Sequence, residues 1–219
     1  GKGVALMTTD EVISNPEKIP FTSQTVLEKF IPCKKELAVI VGRDVQGHMK
    51  TFPVCEMEFD EKANLVTFLF SPAQISEQKK NEAEQLALKV VDALGGPGLF
   101  AIEMFMDDDE KLWVNEMAPR PHNSGHHTIE AHYSSQFDML WRLLLGYPLG
   151  NTEALQPSIM VNVLGAEGHV GPAHYEGLDE VLRMEQAFVH LYGKKETKPG
   201  RKMGHVTILG KDKSELLFQ

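Results

Sequence analysis

Residues 99–127 read LFAIEMFMDDDEKLWVNEMAPRPHNSGHH. Two apolar runs, 99–106 and 111–117, flank the acidic tetrapeptide Asp107-Asp108-Asp109-Glu110. Each run has the length of a strand, and the polar tetrapeptide between them reads as a solvated turn. It lacks the ligand spacing of an EF-hand loop. Each strand also carries one carboxylate, Glu103 or Glu116. We expect a hairpin that turns around Asp108-Asp109 with Glu103 opposite Val114. Side-chain alternation then places Ala101, Glu103 and Phe105 on one face with Leu112, Val114 and Glu116. The two glutamates become diagonal neighbours about 7–8 Å apart by backbone. A slip of one residue puts them on opposite faces.

A carboxylate inside a strand is costly unless it is paired or bound to a metal. Oxygen ligands favour magnesium or manganese, whose remaining positions phosphates and water fill. The pair therefore points to a nucleotide-phosphate site, or else to two solvated or ion-paired glutamates. Arg120 follows four residues after Glu116, between two prolines that fix its backbone. It is suited to gripping an anion bidentately, or to a structural salt bridge. His122, Asn123, Ser124 and Gly125 supply donors for phosphate or hydroxyl groups. His126 and His127 are adjacent, so they point differently and make a poor metal pair.

Outward from this hairpin, residues 36–43 (ELAVIVGR), 49–59 and 64–70 read as strands of an antiparallel meander. Shorter strands are expected at 4–7 and 25–30. Residues 75–94 change to helical period, with Ser76 as N-cap and Gly95-Gly96 as stop. A second helix is expected over 134–145, with Phe137, Leu140, Trp141 and Leu144 on one apolar face. Composition shifts at 148–157. Strands follow at 158–164, 188–192 and 205–209, with a short helix near 178–182. The basic run 194–202 (KKETKPGRK) is a solvated turn or a second grip on an anion.

The net charge of −9 (22 Lys and Arg against 31 Asp and Glu) argues against non-specific nucleic-acid binding. Hydrophobic content of 42% is enough for a core. Cys33 and Cys55, the two cysteines, offer no disulfide framework and no zinc spacing, which favours a cytoplasmic setting. No apolar run approaches the ~18 residues of a membrane span, and no signal-peptide pattern is visible. Gly1-Lys2-Gly3 reads as the tail of a cut glycine-rich loop or as an expression remnant.

The runs NEMAPRPHNSGHHTIEA (115–131) and KPGRKMGH (198–205) resemble two signatures of the ATP-grasp superfamily, specifically of the N5-carboxyaminoimidazole ribonucleotide synthetases of purine biosynthesis. The resemblance covers essentially the whole chain but only part of a family member, whose N-terminal domain is missing. It implies an α+β fold: an ATP-grasp antiparallel sheet with flanking helices over 1–148, and a small, mainly β C-terminal domain over 149–219. It implies ATP-dependent carboxylation of aminoimidazole ribonucleotide with bicarbonate, via carboxyphosphate, giving ADP and phosphate. By the resemblance, Glu28, Lys29, Phe30 and Ile31 meet the adenine, and Glu36 holds the ribose hydroxyls. Glu103 and Glu116 bind Mg2+ or Mn2+, and Arg120 acts on the intermediate. Arg120, His122, Asn123 and Ser124 meet the ribonucleotide, while Lys195, Arg201 or Lys202 holds its phosphate. A homodimer is expected. The chain departs from many ATP-grasp enzymes at Ala118, where a metal-binding asparagine is common. Without the upstream segment, the chain alone is expected to be inactive. Competing expectations are another ATP-grasp ligase of purine synthesis and a non-catalytic nucleotide-binding module.

Overall fold

A computed structural model of the chain describes residues 5–14, 24–60 and 65–211. It divides into two units, Gly1–Pro32 and Cys33–Gln219. In the first, helix α1 (Thr9–Ser14) starts on a reciprocal cap. The Thr8 hydroxyl accepts from the Glu11 amide (3.2 Å), and the Glu11 carboxylate accepts from the Thr8 amide (2.8 Å). The strand expected at 4–7 is therefore corrected at residues 5–7, which lead into this helix unpaired; residues 1–4 lie outside the described residues. Residues 25–30 form no strand among the described residues either, and Val26 and Leu27 stand exposed.

The second unit is built on β1 (Lys35–Arg43), β2 (Met49–Thr51), β3 (Cys55–Asp60), β4 (Leu65–Ser71), β5 (Gly98–Met106) and β6 (Leu112–Ala118). To these are added β7 (Ser158–Leu164), β8 (Gly171–Pro172), β9 (Ala187–Leu191), β10 (Glu196–Thr197) and β11 (Lys202–Leu209). The main sheet runs β6-β5-β1-β3-β4-β7-β11-β9 with β2 beside β1, and every pairing is antiparallel. β7 joins β4 directly, from Phe68 opposite Val161 to Ser71 opposite Ser158. One sheet thus spans both sides of residue 148.

Helix α2 (Glu77–Leu94) begins where the Ser76 hydroxyl accepts from the Lys79 amide. It ends on Gly95, whose φ of 77° suits the left-handed cap. Its small buried residues Ala83, Ala87 and Val91 let it lie close to the sheet. There it covers Leu37, Val39 and Val41 of β1 and Phe100, Ile102, Met104 and Met106 of β5. Each such side chain contributes about 1.5–3 kcal/mol of burial free energy.

The opposite face carries Ile40, Leu99 and Ala101 against helix α4 (Gln136–Leu145). Helix α4 comes so near β1 that a Cβ on Gly42 would lie 3.0 Å from Met139 Cγ. The expected face of α4 is corrected. Gln136 and Met139 are the buried positions, whereas Trp141 and Leu144 are more than half exposed. Hydrophobic spacing marked a stripe, but packing selected the one turned toward Gly42. Short helices α3 (Thr128–Ala131) and α5 (Leu178–Val181) complete the chain's helices among the described residues.

Candidate functional site

The β5–β6 hairpin sets the site. Its turn is held by Asp107, whose carboxylate accepts from the Lys111 amide and the Trp113 indole at 2.8 Å each. Near the turn Met106 faces Leu112, Phe105 faces Trp113 and Met104 faces Val114. That register is one residue away from the expected one. Continued unbroken, it would set Glu103 opposite Asn115 and turn Glu116 to the other face. A β-bulge between Glu103 and Met104 removes the conflict, because the extra residue Asn115 lets Glu116 face Glu103 directly. The expected pairing of Glu103 with Val114 is therefore corrected, and Leu112 packs on the α2 side instead. The glutamates still share one face.

After β6, Pro119 and Pro121 lead into a 3-10 turn, Asn123–Gly125, that returns His122 over the hairpin. One ligand atom each of Glu103, Glu116 and His122 lies within 4.8 Å of the others. His122 Nδ1 is 3.5 Å from Glu103 Oε1 and 3.0 Å from the Ser124 hydroxyl, and it also accepts from the Ser124 amide. Glu36 enters from β1 on the same sheet face, because Glu36 is opposite Phe105 and Ala38 is opposite Glu103.

The electrostatics are those of crowded acid. Burial first, then Glu116 and Glu36, push the Glu103 carboxyl up to about 7, with Lys202 opposing. A hydrogen bond from the protonated Glu103 carboxyl to Glu116 adds to the effect. Burial and Glu116 also raise Glu36 to about 7. Burial, Arg120 and Lys202 hold His122 below the usual histidine value, which leaves a neutral imidazole. Burial lowers Lys202, an effect that Glu103 opposes and Lys194 reinforces.

Two repelling carboxylates and one neutral ring nitrogen form a set of acceptors short of positive charge. An octahedral Mg2+ or Mn2+ spans about 4.2 Å between opposite ligands, so the spacing fits such an ion. The imidazole brings nitrogen to a set expected to be all oxygen. His122 was legible as a donor beside the site but not as a candidate ligand, because only the 3-10 turn carries it back over the hairpin.

The remaining expected residues divide by location. Arg120 is exposed and donates to the Pro121 carbonyl at 3.1 Å. Asn123 has a buried amide nitrogen with no hydrogen-bond partner among the described residues. Ser124 is fully buried, with its hydroxyl on His122. Of the three basic candidates, Lys202 is the one brought to the carboxylates. Arg201 donates to the Glu196 carbonyl, and Lys195 is exposed. Neither pairs with Glu103, Glu116 or His122 among the described residues. Glu28, Lys29 and Phe30 are exposed and Ile31 half-buried, in an irregular stretch of the first unit.

Sequence reading did not find a histidine stack beside the site. His126 stacks on His205 at 4.8 Å, and His205 stacks on His190 at 4.5 Å. His190 reaches Glu130 at 2.6 Å, and the Tyr192 hydroxyl meets His205 Nδ1 at 3.0 Å. Burial lowers His126 to about 4 and His205 to about 3, so both rings are neutral near pH 7. These residues are scattered over 80 positions of sequence, and no local spacing announces their meeting.

The ATP-grasp domain family matches residues 1–137, and the family described as phosphoribosylaminoimidazole carboxylase C-terminal domain matches 158–219. The N5-carboxyaminoimidazole ribonucleotide synthase of Bacillus subtilis is 38% identical over 215 residues, covering 98% of this chain and 54% of the relative. That of Synechococcus elongatus is 35% identical, with 95% of this chain and 52% of the relative covered. The crystal structure of the Thermotoga maritima synthetase aligns with a TM-score of 0.81 at 46% identity, over 87% of this chain and 51% of that one. The Aspergillus clavatus enzyme, solved in complex with ADP and 5-aminoimidazole ribonucleotide, aligns at 0.81 and 36% identity over the same shares. The chain spans about half the length of these relatives.

Proposed function

The chain belongs to the ATP-grasp family, and on that premise we propose that it forms the nucleotide- and metal-binding part of a carboxylating ligase. The reaction is ATP-dependent carboxylation of 5-aminoimidazole ribonucleotide with bicarbonate. Carboxyphosphate is its intermediate, and N5-carboxyaminoimidazole ribonucleotide, ADP and phosphate are its products. The observation that carries this reading is the bulged hairpin, which sets Glu103 opposite Glu116 with His122 above them.

Phosphoryl transfer depends on positioning and charge neutralisation more than on covalent chemistry. Glu103 and Glu116, with His122 as a third ligand, would hold Mg2+ or Mn2+. When bound, the ion neutralises charge on the transferring phosphoryl oxygens. Arg120, exposed at the rim, would grip an anion with the guanidinium donors not used on Pro121, and the half-buried Lys202 supplies a second positive charge beside the carboxylates. Glu36 faces the same pocket of charge and is assigned to the ribose hydroxyls. Glu28, Lys29, Phe30 and Ile31 are assigned to the adenine. His122, Asn123 and Ser124 are assigned to the ribonucleotide, and Lys195, Arg201 or Lys202 to its phosphate.

The same reading carries a functional division near residue 148, a homodimer and a cytoplasmic location. Among the described residues no helix is long and apolar enough to cross a membrane. These residues, which span about half the length of the relatives, are expected to turn over poorly by themselves. ADP release by the full-length protein, measured with and without aminoimidazole ribonucleotide, tests the assignment. Release that depends on this nucleotide supports it. Dependence on glycinamide ribonucleotide instead identifies another ligase of purine synthesis, and ATP binding without turnover identifies a non-catalytic module.

A further inference from the structure

We propose that Gln136, at the start of α4, is a positioning residue that clamps the backbone of His122 and so aims its imidazole at the paired glutamates. Gln136 is fully buried, which is unusual for a glutamine at a helix start. Its side-chain oxygen accepts from the His122 amide at 2.9 Å, and its nitrogen donates to the His122 carbonyl at 2.8 Å. One amide thus closes on both polar groups of a single residue. The backbone fixes which end of the amide is which, since an N–H can face only the oxygen and a C=O only the nitrogen. The second amide hydrogen then points to His126 Nδ1, 3.0 Å away. His126 must accept there, so its own proton sits on Nε2.

The surroundings are built to keep the clamp closed. The Gln136 amide N–H donates to the Thr128 hydroxyl (2.9 Å), which in turn donates to the Gly125 carbonyl. Gly125 lies directly under the side chain, and a Cβ there would sit 2.5 Å from Gln136 Oε1. Glycine at 125 is therefore required by close approach rather than by backbone angle. Helix α4 is itself anchored on the sheet through Met139. The clamp thus ties the His122 turn to the rigid scaffold that also carries Glu103. A ring held by its own backbone, and by Ser124 at Nδ1, has little freedom to leave the carboxylates.

The inference rests on the proposed reaction for its kinetic test, and on the fold alone for its spectroscopic one. The full-length protein would be prepared as Gln136→Ala, Gly125→Ala, the double variant, and Gln136→Glu. The last keeps size and the acceptor for the His122 amide but, as a carboxylate, cannot donate to the carbonyl. We expect kcat for ADP release to fall about 10- to 100-fold in each single variant, the loss typical of a slightly misplaced catalytic group. The KM for ATP should stay within about twofold. Residue 125 acts through the amide of residue 136, so the double variant should be no worse than Gln136→Ala alone. Additive losses, or wild-type kcat in both Gln136→Glu and Gln136→Ala, would overturn the proposal. Melting temperatures that fall while kcat per folded molecule holds would reduce Gln136 to packing and overturn it equally. Should the wild-type protein release no ADP, the reaction assignment fails by itself. Nitrogen-15 spectra of His126 then decide the clamp. The hydrogen-bonded Nδ1 of the wild type must lose its bond in Gln136→Ala, and an unchanged resonance sinks the idea.

Discussion

Glu103 sits inside β5 among side chains that are nearly all buried, and nothing in the fold's interior needs a carboxylate there. Burial, and then repulsion from neighbouring carboxylates, raises its carboxyl and that of Glu36 to about 7. The sign of the resulting pH dependence follows from linkage. Both carboxyls rise from 4.5 to about 7, so the folded state holds their protons more tightly than the unfolded chain does. Their contribution to stability is present at low pH and is lost as pH climbs through that window. His126 and His205 act oppositely, because their depressed values cost stability as pH falls below 6.5. Magnesium needs ionised carboxylates. We therefore expect Mg2+ to raise the melting temperature more near about pH 8 than near about pH 5.5. Glu116 is exposed, so Glu116→Gln should fold normally. That variant should abolish the magnesium gain while leaving the metal-free protein as stable as before or slightly more so, since it relieves repulsion on Glu103. Scanning calorimetry at both pH values checks this, and a magnesium gain that survives in the variant would contradict the assignment.

At the scale of elements, the hairpin turns on one extra residue. Asn115 is the residue by which β6 outnumbers β5, and it alone brings Glu116 back to the face of Glu103. A counterintuitive prediction follows. Deleting Asn115 removes the bulge but leaves Met104 opposite Val114 and Glu103 opposite Glu116, so the deletion should retain most of the magnesium-induced stabilisation. Loss of that response in a folded deletion variant would show that the bulge's twist, and not only its register, is required.

The helices follow ordinary packing energetics. Met139→Ala empties the contact over Gly42 and should cost about 2–5 kcal/mol in chemical denaturation. Trp141→Ala, at a site 63% exposed, should cost under about 0.5 kcal/mol.

The same elements show what the sequence could and could not reveal. Helix α2 was legible because Ser76, the apolar period and Gly95 all agree on its limits. The turn at Asp107 was legible from four successive acidic residues. The bulge was not, because alternation assumes a ladder without extra residues, and both registers satisfy the apolar pattern equally. Helix α1 was hidden because its start depends on Thr8 and Glu11, in a segment whose apolar residues look like a strand.

For the whole molecule, the sheet is continuous from β6 to β9, and the site lies where strands distant in sequence meet. Glu36 arrives from β1, Glu103 and Glu116 from the hairpin, and Lys202 from β11. The chemistry of each residue type was readable in advance, and the two signature runs named the family they resemble. The convergence of Lys202 and the histidine stack on the hairpin was not readable, because it depends on β11 pairing with both β7 and β9. If Lys202 supplies positive charge over the carboxylates, Lys202→Met should lower kcat in the full-length protein by about 10²-fold. Lys195→Met, at an exposed position, should act mainly on the KM for the ribonucleotide. Steady-state kinetics with each substrate varied separates the two effects, and equal effects on kcat would contradict the distinction.

We propose that Glu103, Glu116 and His122 hold one divalent ion. Crystals of the full-length protein grown with Mn2+ and a non-hydrolysable ATP analogue, with data collected at the manganese absorption edge, test it most directly. An anomalous peak is expected between the two carboxylates and within coordination distance of His122, absent from Glu116→Gln crystals. A manganese ion bound elsewhere, with Glu103 and Glu116 left to share a proton, would contradict it.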